Sequence, residues 1–188
     1  VISVLLSAKT EFDKIYAFEL QSEMARLAEK NVLLNNLDDK IEIISDDVRN
    51  FKQYLKSESF DVVFSNPPYM RKDVALNSNP IKNKARHDET LPIDDLCKTA
   101  YSLLKFNGRF FVVYTATRVA ELIYTLMQNN LEPKKMFFTE NGKGKVVLVV
   151  IEAVKGGKHG IEVLQHLETN DNDGEYLKIL QTKYFGRN

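Results

Sequence analysis

Apolar and polar positions along this chain recur with two periods, about 3.6 residues and two residues, and the switches between them divide it into alternating helices and strands. Residues 1 to 8 read as the end of a helix, and Lys14 to Leu20 (KIYAFEL) as a strand. From Ser22 to Asn36, Met24, Leu27, Ala28 and Val32 fall at helical spacing, and Asn35-Asn36 stops the pattern. Ile41 to Ser45 (IEIIS) predicts the next strand, Val48 to Lys56 a short helix, and Phe60 to Ser65 (FDVVFS) another strand. Ile93 to Lys105 sets Leu96, Ala100, Leu103 and Leu104 on one helical face, with Asn107-Gly108 as its stop. Arg109 to Tyr114 (RFFVVY) is too uniformly apolar for a strand with one wet face, so it belongs inside a sheet. A helix over Val119 to Asn129 and strands near Lys135 to Thr139 and Lys145 to Val154 complete the series. The last two strands are joined by Glu140-Asn141-Gly142-Lys143-Gly144, a hairpin signal that makes the final strand antiparallel. The series predicts an α/β fold with helices on both faces of a mainly parallel sheet.

Asn66-Pro67-Pro68-Tyr69 follows directly on the strand Phe60 to Ser65. Neither proline donates to a ladder and each restricts the residue before it, so the strand stops abruptly. Taken alone this is a proline turn. At the C-terminal end of a strand in an open α/β sheet, where ligands bind, an amide followed by an aromatic is also the equipment for holding a planar amino group. The Asn66 side-chain oxygen and the Pro67 carbonyl are two acceptors for the two hydrogens of such an amine. Tyr69 would stack on the ring that carries it; stacking of about 1–3 kcal/mol per base is comparable with the cost of unstacking one.

Composition narrows the class without naming it. The 188 residues suit a single domain, 1–188, large enough to bury roughly 70% of its unfolded surface around one core. With 44% hydrophobic and 28% charged residues the chain is ordinary globular protein, and no apolar run approaches the ~20 residues of a membrane span. The opening VISVLL has no basic leader, so a cytoplasmic location is expected. Cys97 is the one cysteine, which permits no internal disulfide, and no metal site is expected around it. Basic and acidic residues balance at 26 each, so net charge says nothing of nucleic acid, but between Met70 and His87 five cations (Arg71, Lys72, Lys82, Lys84, Arg86) face only Asp73, 5 − 1 = +4. A loop of that charge beside a catalytic edge suits phosphates, with Lys155 and Lys158 as the next candidates.

The tetrapeptide resembles the catalytic loop of S-adenosylmethionine-dependent amino methyltransferases, which act on adenine or on glutamine. The resemblance implies a Rossmann-like sheet in which Glu19, ending the first visible strand, accepts from the cofactor ribose. It implies that Asp47, with Asp46 as the alternate, accepts from the cofactor's adenine amino group, and that Asn66 lies between cofactor and substrate. Read singly, each acid is an ordinary loop residue; their joint placement at strand ends points to a cofactor site.

Lys84-Ala85-Arg86-His87-Asp88-Glu89, the run Ile151 to Lys158 and the tail Asp171 to Tyr176 are similar to segments of the bacterial tRNA1(Val) adenine-37 amino methyltransferases. That family implies methylation of the exocyclic amino group of an adenosine beside the tRNA anticodon, with tRNA as partner and Arg71, Lys72, Arg86, His87 and Arg118 among the RNA contacts. Where members carry His-Arg-Pro-Glu-Arg this chain reads Tyr114-Thr115-Ala116-Thr117-Arg118 and keeps the final arginine. The family's first strand and glycine-rich loop are expected upstream of Val1 and are missing here. Two other readings stay open: methylation of a glutamine amide, as in release-factor methyltransferases, and an RNA-binding remnant without catalysis.

Overall fold

A computed structural model describes residues 2–7, 12–67, 91–141, 144–164 and 167–168. The chain divides into two compact units, one within Val1–Leu55 and one within Lys56–Asp173.

The first unit contains α1 (Ile2–Ser7), β1 (Ile15–Phe18), α2 (Ser22–Leu34), β2 (Ile41–Ile44) and a 3-10 turn (Val48–Gln53). β1 and β2 pair in parallel, Ile15 opposite Ile41 and Phe18 opposite Ile44. The order strand, helix, strand is the predicted one, but the inward stripe of α2 is not. Ala25 and Val32 are buried, whereas Leu27 is 52% exposed. Positions 25, 28 and 32 form one stripe, and Leu27 lies about 200° round the helix from Ala25. The helix ends as expected: Asn36 takes a left-handed φ of 53°, and the Leu37 N–H donates to Val32 O at 3.1 Å, a helix-terminating geometry that asparagine tolerates.

The second unit is built on a sheet of β3 (Phe60–Ser65), β4 (Leu104–Thr115), β5 (Leu131–Glu140), β6 (Val146–Lys155), β7 (Glu162–Val163) and β8 (Leu167–Glu168). It also contains α3 (Ile93–Leu103), a 3-10 turn (Ala116–Arg118) and α4 (Val119–Gln128). The strand order is β3-β4-β6-β5-β7, with β8 also on β5. β3 and β4 are parallel, while β6 runs antiparallel to both of its neighbours. The hairpin and its antiparallel strand are thus as predicted, and β6 inserts between β4 and β5. Among the described residues β1 pairs only with β2, and β3 only with β4.

The core of this unit lies between α3, α4 and one face of the sheet, around Leu96, Phe110, Tyr114, Leu122, Val149 and Ile151. Two sequence expectations are corrected here. α3 stops at Leu103 rather than at Lys105, and Asn107-Gly108 lies inside the span of β4 instead of ending a helix. There Asn107 has a φ of 62° and the register against β3 shifts between Phe60 and Val62, so the dipeptide makes a bulge rather than a cap.

The physical reason for the earlier stop is Lys155. On β6 it shares the inward face with Val149, Ile151 and Ala153 and is 4% exposed. Its Nζ donates to Tyr101 O and Leu104 O at 2.9 Å each and to Glu58 Oε1 at 2.8 Å. All three ammonium hydrogens are used, two of them on carbonyls at the end of α3, where a cation is favoured. Lys155 is therefore a buried helix cap and not a surface cation open to RNA.

Candidate active site

The last ladder position of β3 is Ser65, opposite Val112 of β4. Beyond it Asn66 is exposed and Pro67 is buried. Pro67 has no N–H to continue the ladder, so the strand end is fixed by the residue type that sequence reading used to place it. Pro68, Tyr69, Arg71, Lys72, Arg86 and His87 lie outside the described residues.

In the first unit the ends of β1 and β2 lie together, because the Glu19 N–H donates to Ile44 O at 3.0 Å. This puts Glu19, Asp46 and Asp47 on one edge of one parallel pair of strands. Glu19 is half-buried, and its Oε1 accepts from the Gln21 N–H at 2.9 Å. Oε2 takes no protein donor among the described residues.

The two aspartates differ. Asp46 Oδ1 accepts from the Asp47 N–H at 2.6 Å and from Asn50 Nδ2 at 3.0 Å, and its Oδ2 from the Tyr54 hydroxyl at 2.8 Å. The Asn50 amide, the Tyr54 hydroxyl and the Asp47 N–H together hold the Asp46 carboxyl below its ordinary value. Tyr54 is itself placed edge-on to Phe18, ring centroids 6.0 Å apart. Asp46 thus ties the chain after β2 to the 3-10 turn. Asp47 caps that turn: its Oδ1 accepts from the Arg49 N–H at 2.9 Å and from Arg49 Nε at 3.0 Å. Arg49 also keeps the Asp47 carboxyl below its ordinary range, in a pair whose arginine side chain is 42% exposed and whose aspartate side chain is 19% exposed.

Arg118 is engaged within the second unit. Its Nε and one Nη each donate to Glu121 at 2.7 Å, and its guanidinium carbon sits 5.1 Å from the centroid of the Tyr114 ring. Sequence reading missed Asn50, Tyr54 and Glu121 as partners of the site residues. No local motif signals them; the Asp47-x-Arg49 spacing, an N-cap pattern, signals only the partner of Asp47. Among the described residues no helix is long and apolar enough to cross a membrane.

The sequence profile of the family described as N-6 DNA Methylase matches residues 3–107. The chain belongs to that family. Relatives within reach of its sequence are tRNA1(Val) (adenine(37)-N6)-methyltransferases. The protein of that name from Bacteroides fragilis is 24% identical over 173 residues, covering 90% of this chain and 73% of its own. The one from Photorhabdus laumondii is 33% identical over 115 residues, covering 60% of this chain and 46% of its own. Among solved structures, a predicted O-methyltransferase from Agrobacterium tumefaciens superposes with a TM-score of 0.71 at 19% identity, over 96% of this chain and 82% of that one. TrmN from Thermus thermophilus gives 0.56 at 19% identity, over 80% and 39%. The chain thus has a Rossmann-like methyltransferase fold, and among the described residues β6 is the strand that runs antiparallel to its neighbours in the sheet of the second unit.

Proposed function

We propose that this chain transfers a methyl group from S-adenosylmethionine to the exocyclic amino nitrogen of an adenine in RNA, the adenosine beside a tRNA anticodon being the favoured substrate. The observation that carries the reading is the end of β3: an exposed Asn66 followed by a buried Pro67 directly after the last ladder pair. The names of the relatives support the RNA acceptor.

The donor groups present fit the cofactor. Glu19 has one carboxylate oxygen that takes no donor among the described residues, which suits ribose hydroxyls, and Asp47 has a carboxylate whose partner is an exposed arginine. Asp46, occupied by Asn50 and Tyr54, suits the supporting role. When bound, S-adenosylmethionine supplies a sulfonium-activated methyl group: the amine lone pair forms the new N–C bond, the C–S pair stays with sulfur, and a proton leaves the nitrogen for water. The protein's part is positioning. An adenine amino nitrogen is a poor nucleophile because its lone pair is delocalised into the ring. Asn66 Oδ1 and the Pro67 carbonyl, each accepting one amine hydrogen, would pull those hydrogens out of the ring plane and turn the lone pair toward the methyl carbon. Orientation of this kind supplies many orders of magnitude.

Transfer of labelled methyl groups to bulk tRNA, compared with transfer to a translation release factor, tests the reading. Label in tRNA adenine supports it; label in a protein amide with none in RNA overturns the RNA substrate and keeps the loop chemistry.

A further inference from the structure

The strand next to β3 ends in a built cluster at the same edge. Ser65 is opposite Val112, the last pair of the ladder; the same spacing continued two residues along each chain would set Pro67 level with Tyr114. Side chains alternate between faces, and Val63, opposite Phe110, packs against the core that contains Phe110, Val112 and Tyr114. Pro67 is buried and Tyr114 is 1% exposed, as two residues on that inward face should be. Over the Tyr114 ring lies the Arg118 guanidinium, 5.1 Å away. The same guanidinium donates to both carboxylate oxygens of Glu121 at 2.7 Å, and the Arg118 side chain is only 13% exposed. A planar cation that sits over a ring and gives two donors of its fork to one carboxylate has an orientation that lysine could not reproduce.

We propose that Arg118 is a positioning residue for the reaction. Locked by Glu121, it holds the Tyr114 ring, which sets the height of Pro67 and so the direction of the Asn66 amide and the Pro67 carbonyl. This rests on the methyltransferase reading above. It also reassigns Arg118 from the RNA contact that its charge suggests, because its donors toward Glu121 are committed within the protein.

The test uses Arg118→Ala, Glu121→Ala and the double variant of the whole chain, each measured for kcat, for KM of cofactor, for tRNA affinity as a function of salt, and for thermal midpoint. Each single change should lower kcat about tenfold to a hundredfold, the range that small misplacements of reacting groups produce. The double variant should be no worse than either single one, since both break one unit. Affinity for tRNA and its salt slope should stay at the wild-type values, and added methylguanidinium should restore part of the Arg118→Ala turnover. Glu121→Ala turning over like wild type, while Arg118→Ala binds tRNA more weakly with a flatter salt slope, would make Arg118 a phosphate contact and overturn the proposal. Lower thermal midpoints with unchanged kcat at low temperature would overturn it in favour of a purely structural pair. Failure of the underlying reading looks different: wild type itself then methylates no RNA, and if it methylates a protein amide instead, the same three variants decide the clamp on that acceptor.

Discussion

Asn66 combines an accepting amide oxygen with exposure at the end of a strand, followed by a buried proline. Asn66→Ala should cost about 10² to 10³ in turnover, the usual effect of deleting one preorganised polar contact, while cofactor affinity measured by calorimetry stays near wild type. Turnover within a few-fold of wild type would sink the assignment of Asn66 to the amine. Asp46 and Asp47 make a second, paired prediction. Asp47→Asn should weaken cofactor binding roughly tenfold or more, as expected when a hydrogen bond to a charged group worth about 1.5–3 kcal/mol is lost. Asp46→Asn should instead lower the thermal midpoint, because Asn50, Tyr54 and the Asp47 N–H all donate to its carboxylate, and leave cofactor affinity little changed. The opposite pattern would exchange the two roles. Sequence alone narrowed the acid to this pair by its place after a strand; it could not separate the two, because the partners that occupy Asp46 include Tyr54, eight residues away.

At the C-terminal end of α3 the charge of Lys155 is turned inward, and its removal should be felt in stability rather than in binding. Lys155→Ala strips three acceptors of their donor and should destabilise by on the order of 3 kcal/mol. Glu58→Ala should cost less, since the Glu58 side chain is 69% exposed. Denaturant midpoints of the two variants check this, and equal losses would show that the ion pair, not the helix cap, carries the energy. The segment from Met70 to His87 makes the complementary case. If its surplus of +4, read from Arg71, Lys72, Lys82, Lys84 and Arg86 against Asp73, meets RNA, neutralising those five should flatten the dependence of tRNA binding on salt, because fewer counterions are released. Cofactor affinity should not move. An unchanged slope would place the RNA surface elsewhere, with exposed Lys158 the next cation to try.

For the whole molecule, stability should fall in acid. Asp46, Asp47 and Asp94 are held below the ordinary 3.8, and Glu58 below the ordinary 4.5, by hydrogen bonds and neighbouring cations. A carboxyl depressed in the folded state contributes stability that is present above its unfolded value and is lost as pH drops through its folded one. Denaturant midpoints should therefore hold down to about pH 5 and decline below 4.5, and a curve that stays flat to pH 3 would contradict these hydrogen bonds. Helices and strands were legible in the linear pattern because their periods are local: the spacing of Phe60 to Ser65 and the prolines after it placed β3 and its end to the residue. The alternation of elements likewise placed Glu19 and the two aspartates at strand ends, and the hairpin signal set β6 antiparallel. Tertiary packing settled which side chains those ends could spare. The outward turn of Leu27, the insertion of β6 between β4 and β5, the burial of Lys155 and the commitment of Arg118 to Glu121 and Tyr114 all depend on partners supplied by other elements or by the closing of a turn. A charged side chain reads as solvated in a sequence because exposure is the default for a charge, and only a fold that brings it enough acceptors can bury it.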